Sequence, residues 1–291
     1  MSFINVKMQS LADARSLSNV SAQLGLSLNR LSSGTRIIAP SSDPAGVGSI
    51  GKMEAQHKRS QAAATNVQNA ASFVLSSAGF AARIGDMLSR MSELTQYSND
   101  GVKTPADIAL YQTEFKGLQD QLRKTIGGTS AEIGGTSVGK PLGSFNGLEL
   151  YGPNPAGLSI ASSSHAGDVI NIPETNLRVG SMLQIIQQDA GGNYLFTATT
   201  PGATQTITNA TDELSDQRSV LGGVASRLEL AAGSLAVEGQ NLTAAVSRIE
   251  DVDVAKESTR LSKFNILLES GTAMLSQANQ TPKSVLKLLQ A

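Results

Sequence analysis

The sequence lacks two residue types that carry much of protein chemistry. Its 291 residues include no cysteine and no tryptophan, and aromatic residues make up only 4% of the chain. Without cysteine there is no disulfide, no thiolate nucleophile and no cysteine-based zinc site. Because large aromatic side chains are scarce, contacts between helices are expected to depend on Leu, Val, Ile and Ala.

Concentrated charge is also absent. The formal net charge is -1, and no run of Lys or Arg provides the basic surface that nucleic-acid binding needs. The two histidines, His57 and His165, are far apart, and no H-E-x-x-H motif is present. Glu250, Asp251 and Asp253 favour a solvated helix bend over a cation site. The composition therefore predicts no nucleic-acid partner, no metal and no cofactor.

Long hydrophobic runs are missing as well. Residues 1–10 lack the basic segment and apolar run of a general secretory signal, and no stretch approaches 18 consecutive apolar residues. Membrane insertion is therefore not predicted. If the protein leaves the cell, we expect it to use a route other than general secretion.

Two segments near opposite ends of the chain carry apolar residues at helical spacing. Leucine or isoleucine recurs at every seventh position from Leu214 to Ile249, and a matching pattern runs from Val67 to Met91. An amphipathic helix exposes its apolar stripe unless another element covers it, so the simplest arrangement pairs the two segments. The residues predicted to pack in this way are Val74, Ile84, Leu88, Leu221, Leu228, Leu235, Leu242 and Ile249.

Residues that begin or end helices set the limits of the predicted helices. Gly34 can adopt the left-handed conformation that ends a helix, and Asp43 with Pro44 forms an N-cap and first-turn pair. The predicted helices cover residues 10–31, 44–100, 105–126 and 211 to the C-terminus, with a bend near 251–253.

The middle of the chain, residues 140–205, contains short apolar runs broken by Gly, Pro and Asn. Residues 127–144 have no period and are rich in Gly, Ser and Thr, which predicts a mobile loop. The predicted fold class is mainly α with a smaller β-rich insertion, with the N- and C-terminal segments forming a long antiparallel helical rod or coiled coil. An ordinary helical bundle with a strand insertion fits the same spacing. The predicted strands are residues 148–151, 169–172, 182–186, 194–199 and 205–208.

One glycine pattern suggests nucleotide chemistry. Gly46, Gly48 and Gly51 form G-x-G-x-x-G, and Lys52 completes most of a phosphate-binding loop. The residue after the lysine is Met53 instead of Ser or Thr, and the preceding segment predicts a helix start instead of a buried strand. We therefore expect a face for close helix packing and no nucleotide site.

Short motifs at both ends of the chain, in the same order as in the family, resemble those of bacterial flagellins. They cover about the first 150 and the last 80 residues, and Phe145-Asn146-Gly147 resembles the family's junction between its third helix and first strand. The N-terminal motif is Leu31-Ser32-Ser33-Gly34-Thr35-Arg36-Ile37 with Asp43, Ala45 and Gly46. The C-terminal motifs are Asn241-Leu242-Thr243, Ser247-Arg248-Ile249-Glu250-Asp251, Asp253, Ala255, Gly271-Thr272, Gln277-Ala278-Asn279-Gln280, Pro282, Val285-Leu286 and Leu288-Leu289.

The resemblance implies a subunit of the flagellar filament that assembles helically with copies of itself to form the propeller for swimming. It implies three parts: residues 1–39 with 252–291 as an inner filament core, 40–144 with 209–251 as a helical rod domain, and 145–208 as a β-rich region facing solvent. The terminal helices are expected to be disordered in the monomer and to order on assembly. The residues expected in the inner coiled coil are Leu17, Leu24, Leu28, Leu31, Leu261, Leu268 and Leu275.

The resemblance also implies partners and a location. Family members leave the cell through the flagellar type III export apparatus with an export chaperone, meet hook-associated and cap proteins, and lie in the extracellular filament. Many are recognised by Toll-like receptor 5 through the motif R-x-x-E-L, which Arg90, Glu93 and Leu94 match, with Glu114 on the next helix. A solvated helix face or a contact between subunits fits the same residues.

Two other functions fit parts of the sequence. The hook-filament junction protein shares the helical ends, and Ser42-Asp43-Pro44 resembles its second-helix start. A secreted adhesin or glycan carrier would use serines and threonines of the middle region, such as Ser159, Ser162–Ser164 and Thr197–Thr200, as modification sites.

Overall fold

The structure is a computed structural model that describes residues 2–153, 157–165 and 167–289, and within these ranges it describes no side chains for residues 2–10, 278, 279 and 281–289. The ends of the predicted inner core, Met1 and Ala291, and most side chains of the C-terminal motif from Ala278 onward lie outside the described residues. The helices of the described part, in chain order, are α1 (Ser2–Ser33), α2 (Pro44–Ser98), α3 (Pro105–Ile126), α4 (Ser130–Ile133), α5 (Gly180–Ile186), α6 (Ala203–Glu250) and α7 (Val254–Leu289). The strands are β1 (Ser144–Phe145), β2 (Leu148–Glu149), β3 (Leu158–Ala161) and β4 (Val169–Ile172).

Local capping residues position the ends of the long helices. The Asp43 carboxylate accepts a hydrogen bond from the Gly46 backbone N–H at 2.9 Å, which caps the start of α2. Thr104 and Asp107 form a capping box at the start of α3, and Gly127, with φ of 71°, follows its last residue. The predicted limits of α3 are confirmed at both ends.

The chain divides into two compact units, and the first contains residues 1–57 and 240–291. Helices α1 and α7 pack along each other within it. Ser27 contacts Glu257, and Leu17 lies next to Gly271, so residue numbers fall along α1 as they rise along α7. The two helices are therefore antiparallel.

The first unit also contains the break between α6 and α7. The Val252 N–H donates to the Gly34 carbonyl at 3.0 Å, and the Arg36 N–H donates to the Glu250 carbonyl at 2.6 Å. Helix α6 ends at Glu250 and α7 begins at Val254, so the predicted bend is confirmed.

The second unit contains residues 58–239. Ser60 donates to the carbonyl of Leu235, and the hydroxyls of Thr95 and Thr204 lie 3.3 Å apart, so α2 and α6 are antiparallel in this unit. Their buried residues follow the seven-residue spacing of the sequence. Side chains from α3, α5 and the loops join the same core, among them the fully buried Phe115.

The predicted fold class is confirmed, because the chain is mainly helical, with long N- and C-terminal helices and two short antiparallel hairpins in its middle region. Strands β1 and β2 pair through a turn at Asn146 and Gly147, with φ of 50° and 80°. Positive φ at both central residues is the requirement of a type I′ turn, which explains the Asn-Gly sequence. Strands β3 and β4 pair from Leu158 opposite Ile172 to Ala161 opposite Val169.

Three of the five predicted strands are wrong. Residues 182–186 belong to α5, where Met182, Ile185 and Ile186 are buried at helical spacing. Residues 194–199 belong to none of the four strands, and residues 205–208 belong to α6. Short apolar runs fit both periods, and here tertiary packing selected the helix.

The predicted mobile loop, residues 127–144, is packed against the protein instead. It contains α4, and the guanidinium of Arg123 donates to the carbonyl of Ile133 at 2.8 Å and to that of Thr136 at 2.6 Å. The Gly128 and Val138 backbones also exchange two hydrogen bonds. The segment is therefore ordered by contacts between residues ten or more positions apart, and such contacts leave no periodic pattern in the sequence.

By length and composition, one helix among the described residues, α6, is apolar enough to cross a membrane. Its Leu221 and Leu228 side chains are buried in the core that α6 shares with α2, whereas Leu230 is 74% exposed. A helix in the core of a water-soluble protein passes the same test, so this is weak evidence for a membrane span.

Candidate self-assembly surface

The leucines predicted for the inner coiled coil are only partly covered in the single chain. Leu28 is an exception, because it is 49% exposed and lies outside the contact between α1 and α7. Ser27 is buried there in its place. The half-buried members of the predicted set are Leu17, Leu24, Leu31, Leu261, Leu268 and Leu275.

Further large apolar side chains of the first unit face away from this contact. On α7, Ile266 and Met274 are 63% and 69% exposed, and on α1, Leu11 is 55% exposed. Exposed apolar side chains on two paired helices can form a surface that binds another protein, although the described residues also expose apolar side chains elsewhere, such as Leu75 and Leu230. On α1 and α7, the exposed residues that form the outward apolar surface of the terminal helices are Leu11, Leu26, Leu28, Ile266, Leu267 and Met274.

The predicted packing residues of α2 and α6 behave differently in the two units. Val74, Ile84, Leu88, Leu221, Leu228 and Leu235 are at most 4% exposed. Leu242 and Ile249, which belong to the first unit, are half-buried. The same heptad pattern is thus fully covered only in residues 58–239.

The residues of the predicted receptor motif form an exposed ionic cluster. Arg90 donates through Nε and Nη2 to both carboxylate oxygens of Glu114, at 2.7 and 3.1 Å, and through Nη1 to Glu93 at 2.8 Å. Hydrogen bonding to Glu114 and then to Glu93 raises the pKa of Arg90 above its ordinary value, and the bond from Arg90 lowers the pKa of Glu114. Leu94 differs from the prediction, because its side chain is completely buried and offers no exposed contact.

Two arginines of the second unit are buried, although the sequence does not predict their burial. Arg178 donates to Glu132 at 3.1 Å, to Glu149, and to the carbonyl of Ile126. Arg123 donates to backbone carbonyls, and burial lowers its pKa. An isolated arginine in a loop or helix gives no sequence signal that it will be buried, because its partners are distant in sequence.

No catalytic or ligand-binding centre emerges from the described side chains. They contain no group of three or more His, Cys, Asp or Glu residues able to hold a metal ion. A cavity of about 360 Å³ between α2 and the hairpins is lined mainly by apolar side chains such as Phe73, Phe145 and Leu158, with Asn66 and Asn69.

The glycine pattern of residues 46–52 lies within α2, so it cannot form a phosphate-binding loop. A Cβ at Gly46 would clash with Asp43 and Ile37, which precede the same helix, and one at Gly48 or Gly51 would meet no atom within 4 Å, so the predicted close packing against another helix is not found in the single chain.

Comparisons with known proteins show the family of this chain. The family model for the bacterial flagellin N-terminal helical region matches residues 4–131, and that for the C-terminal helical region matches residues 204–289. Among curated relatives, flagellin FlaB2 of Treponema pallidum (strain Nichols) is 31% identical, with 99% of each chain covered. The flagellar filament 33 kDa core protein of Treponema phagedenis and the flagellin of Bacillus subtilis (strain 168) are also 31% identical over 99% of each chain. The chain belongs to the bacterial flagellin family.

Proposed function

We propose that this chain is the structural subunit of a flagellar filament and polymerises with copies of itself. The observation that carries the proposal is the incomplete burial of the terminal helices. Helices α1 and α7 pair, yet their leucines stay half-exposed and further apolar side chains such as Met274 point outward. Association with neighbouring copies would remove this apolar area from water.

The geometry of such an assembly follows from the kind of contact. A contact that joins two different surfaces of identical subunits produces a ring if its rotation closes and a helical filament if it does not. The relative from Treponema phagedenis is named a filament core protein. Flagellins are a structural family, and no catalytic role is proposed for this chain.

In the proposed filament, three parts of the chain have different positions. Residues 1–39 with 252–291 form the inner core of the filament, residues 40–144 with 209–251 form the helical domain that contacts neighbouring subunits, and residues 145–208 face solvent. The compact units of the single chain place their boundaries at different residues. In this proposal the terminal helices gain a fixed structure only when neighbouring subunits cover them.

The proposed location is the extracellular filament, which the chain reaches through the flagellar type III export apparatus with its chaperone. There it adds to the growing filament next to cap and hook-associated proteins. Export as an unfolded chain is compatible with a sequence that has no cysteine, because no disulfide can form before assembly.

Seeded polymerisation followed by electron cryomicroscopy tests the proposal. The full chain is expected to form long tubes, and a variant lacking residues 1–39 and 252–291 is expected to form none. Met274→Asp is expected to block polymerisation by placing a charge on the outward apolar surface. Ser262→Asp is the matched control, because Ser262 is an exposed polar residue on the same helix. Polymerisation of the Met274→Asp variant at the parental rate, or absence of tubes from the seeded full chain, would contradict the proposal.

We also propose that the ionic cluster of Arg90, Glu93 and Glu114 contacts Toll-like receptor 5. These three side chains are exposed on α2 and α3, and each has charged groups that a partner can bind. Arg90→Ala is expected to weaken receptor activation in a cell-based reporter assay. Lys116→Ala, at an exposed position on α3, is the control and should retain activation. Equal activation by both variants would remove this cluster from the proposal.

A further inference from the structure

The apolar contact between α1 and α7 does not by itself select one alignment of the two helices. Leu17, Leu24 and Leu31 recur at seven-residue intervals on α1, and Leu261, Leu268 and Leu275 recur at the same interval on α7. If one helix slides along the other by seven residues, leucines again lie opposite leucines. Coiled coils with uniform apolar contacts use a polar residue to select a single register. A polar residue that interrupts the leucine repeat at this contact would therefore select the register.

Ser27 and Glu257 interrupt the leucine contact. They are 2% and 3% exposed, and they are the only fully buried side chains among those that the structure describes on α1 and α7. The Ser27 hydroxyl donates to Oε1 of Glu257 at 2.6 Å. Arg260 lies 3.3 Å from Oε2, and Arg30 lies 3.8 Å from Oε1. The buried carboxylate is thus bonded from both helices in the observed register.

A slip of seven residues in either direction breaks this arrangement. In one direction Glu257 moves from Ser27 to Val20, and in the other Ser27 moves from Glu257 to Phe264. In both cases a buried polar group faces an apolar side chain and loses its partner. An unsatisfied buried hydrogen-bonding group is strongly destabilising, more so when it is charged.

Gly271 provides a second, independent feature that depends on register. A Cβ atom at position 271 would lie only 3.0 Å from Cδ1 of Leu17, so the small residue makes room for the leucine. The slip that brings Glu257 opposite Val20 also brings Leu17 opposite Phe264. A large side chain would then occupy the space that Gly271 leaves open, and overpacking is destabilising.

We propose that the hydrogen bond between Ser27 and Glu257, with the close contact between Leu17 and Gly271, sets the register of α1 and α7. The leucines stabilise the pair, and the polar contact selects its alignment. A helical polymer needs identical contact surfaces on every subunit, and a fixed register gives each copy the same outward apolar surface. The inference rests on the proposed function, because in that proposal the terminal helices gain a fixed structure only when neighbouring subunits cover them.

Distance measurements between two spin labels test the register in seeded filaments, in which a small fraction of labelled full-length subunits is diluted into unlabelled ones. Because the chain has no cysteine, Ala14→Cys and Ser258→Cys place labels only at two exposed positions, one on each helix. A slip of seven residues changes their separation along the helix axis by about 10 Å, from a rise of about 1.5 Å per residue. The parent is expected to give one dominant distance.

The decisive variant combines Ser27→Leu with Glu257→Leu. It keeps the helix contact apolar, so the pair remains stable, but it removes the polar contact. The ratio of native to shifted alignment is expected to fall by about tenfold or more, with a second distance displaced by about 10 Å. Glu257→Gln keeps a hydrogen-bond acceptor at this position and is expected to retain mainly the parental distance.

Leu261→Ala is the matched control, because it removes apolar area from the same contact and leaves the polar pair intact. It is expected to lower the thermal stability of α1 and α7 while retaining the single parental distance. The proposal is overturned if the double-leucine variant keeps only the parental distance, if Leu261→Ala shifts the register equally, or if the parent has no dominant distance. Failure of the labelled parent to enter seeded filaments would contradict the proposed function, whereas a labelled parent that enters filaments without a dominant distance would overturn only this inference.

Discussion

The pair of helices α1 and α7 and the pair α2 and α6 share a seven-residue spacing of apolar residues, but the two pairs bury these residues to different extents. Leu221 and Leu228 are at most 1% exposed, whereas Leu261 and Leu268 are half-buried. In residues 58–239, further helices and two hairpins add side chains such as Phe115 to the core. The spacing therefore identifies the apolar side of a helix, and the number of packed elements decides how completely that side is covered.

The largest expected difference between the two regions concerns a single leucine. Leu228→Ala removes a completely buried side chain and is expected to lower the free energy of unfolding by about 3 kcal/mol. Leu268→Ala removes a half-buried side chain and is expected to cost about 1 kcal/mol or less in the soluble protein. Denaturant unfolding of the two variants measures both values.

The same pair of variants is expected to reverse its order in polymerisation. If neighbouring copies cover the terminal helices, Leu268→Ala should slow seeded growth more than Leu228→Ala does at a temperature where both remain folded. Equal stability losses in the soluble protein would contradict the difference in burial on which the comparison depends.

A smaller expected effect arises from the ion pair between Glu132 and Arg178 in residues 58–239. Hydrogen bonds from Thr129, followed by the charge of Arg178, lower the pKa of Glu132 below its ordinary value of 4.5. As the pH falls, protons therefore bind the unfolded chain before the folded one. The stability that Glu132 contributes is complete above about pH 4.5 and is lost as the pH falls through its lower folded-state pKa.

Urea unfolding at a series of pH values tests this expectation. Glu132→Gln cannot titrate, so its stability should fall less steeply below pH 4.5 than that of the parent. The two curves should be parallel above that pH. Identical slopes in the acidic range would show that Glu132 does not contribute to acid sensitivity.

The smallest expected effect concerns Tyr151 in the same core. Its side chain is completely buried, and its hydroxyl donates to the backbone carbonyl of Ser77. Burial raises the pKa of Tyr151 to about 12. Tyr151→Phe is expected to cost about 1 kcal/mol of stability.

An alkaline titration followed by ultraviolet absorbance provides the second readout. Tyr151→Phe should remove the ionisation step near pH 12 and leave the still later ionisation of Tyr194, whose pKa burial also raises. Tyr97→Phe is the control because Tyr97 is 46% exposed, and it should leave the step near pH 12 in place. Retention of that step in Tyr151→Phe would contradict the assignment.

The long helices could be predicted because their signals are local. The limits of α3 are given by a Thr104 and Asp107 capping box at one end and by Gly127 at the other, all within a few residues of the helix. The heptad leucines likewise identified the buried faces of α2 and α6. The middle region could not be predicted as well, because residues 182–186 and 205–208 have apolar runs too short to separate a strand from a helix.

The sequence by itself determined which segments are long helices, where α3 begins and ends, and which faces are apolar, because capping and periodicity act over a few neighbouring residues. It also determined the family, because the motifs at both ends occur in order. Tertiary structure alone decided that Ser27 rather than Leu28 lies between α1 and α7, that Arg123 and Arg178 order the middle segments, and that Leu94 is buried. These outcomes depend on contacts between residues distant in sequence, and the free energy of burying or pairing a side chain is fixed only when its partners come together.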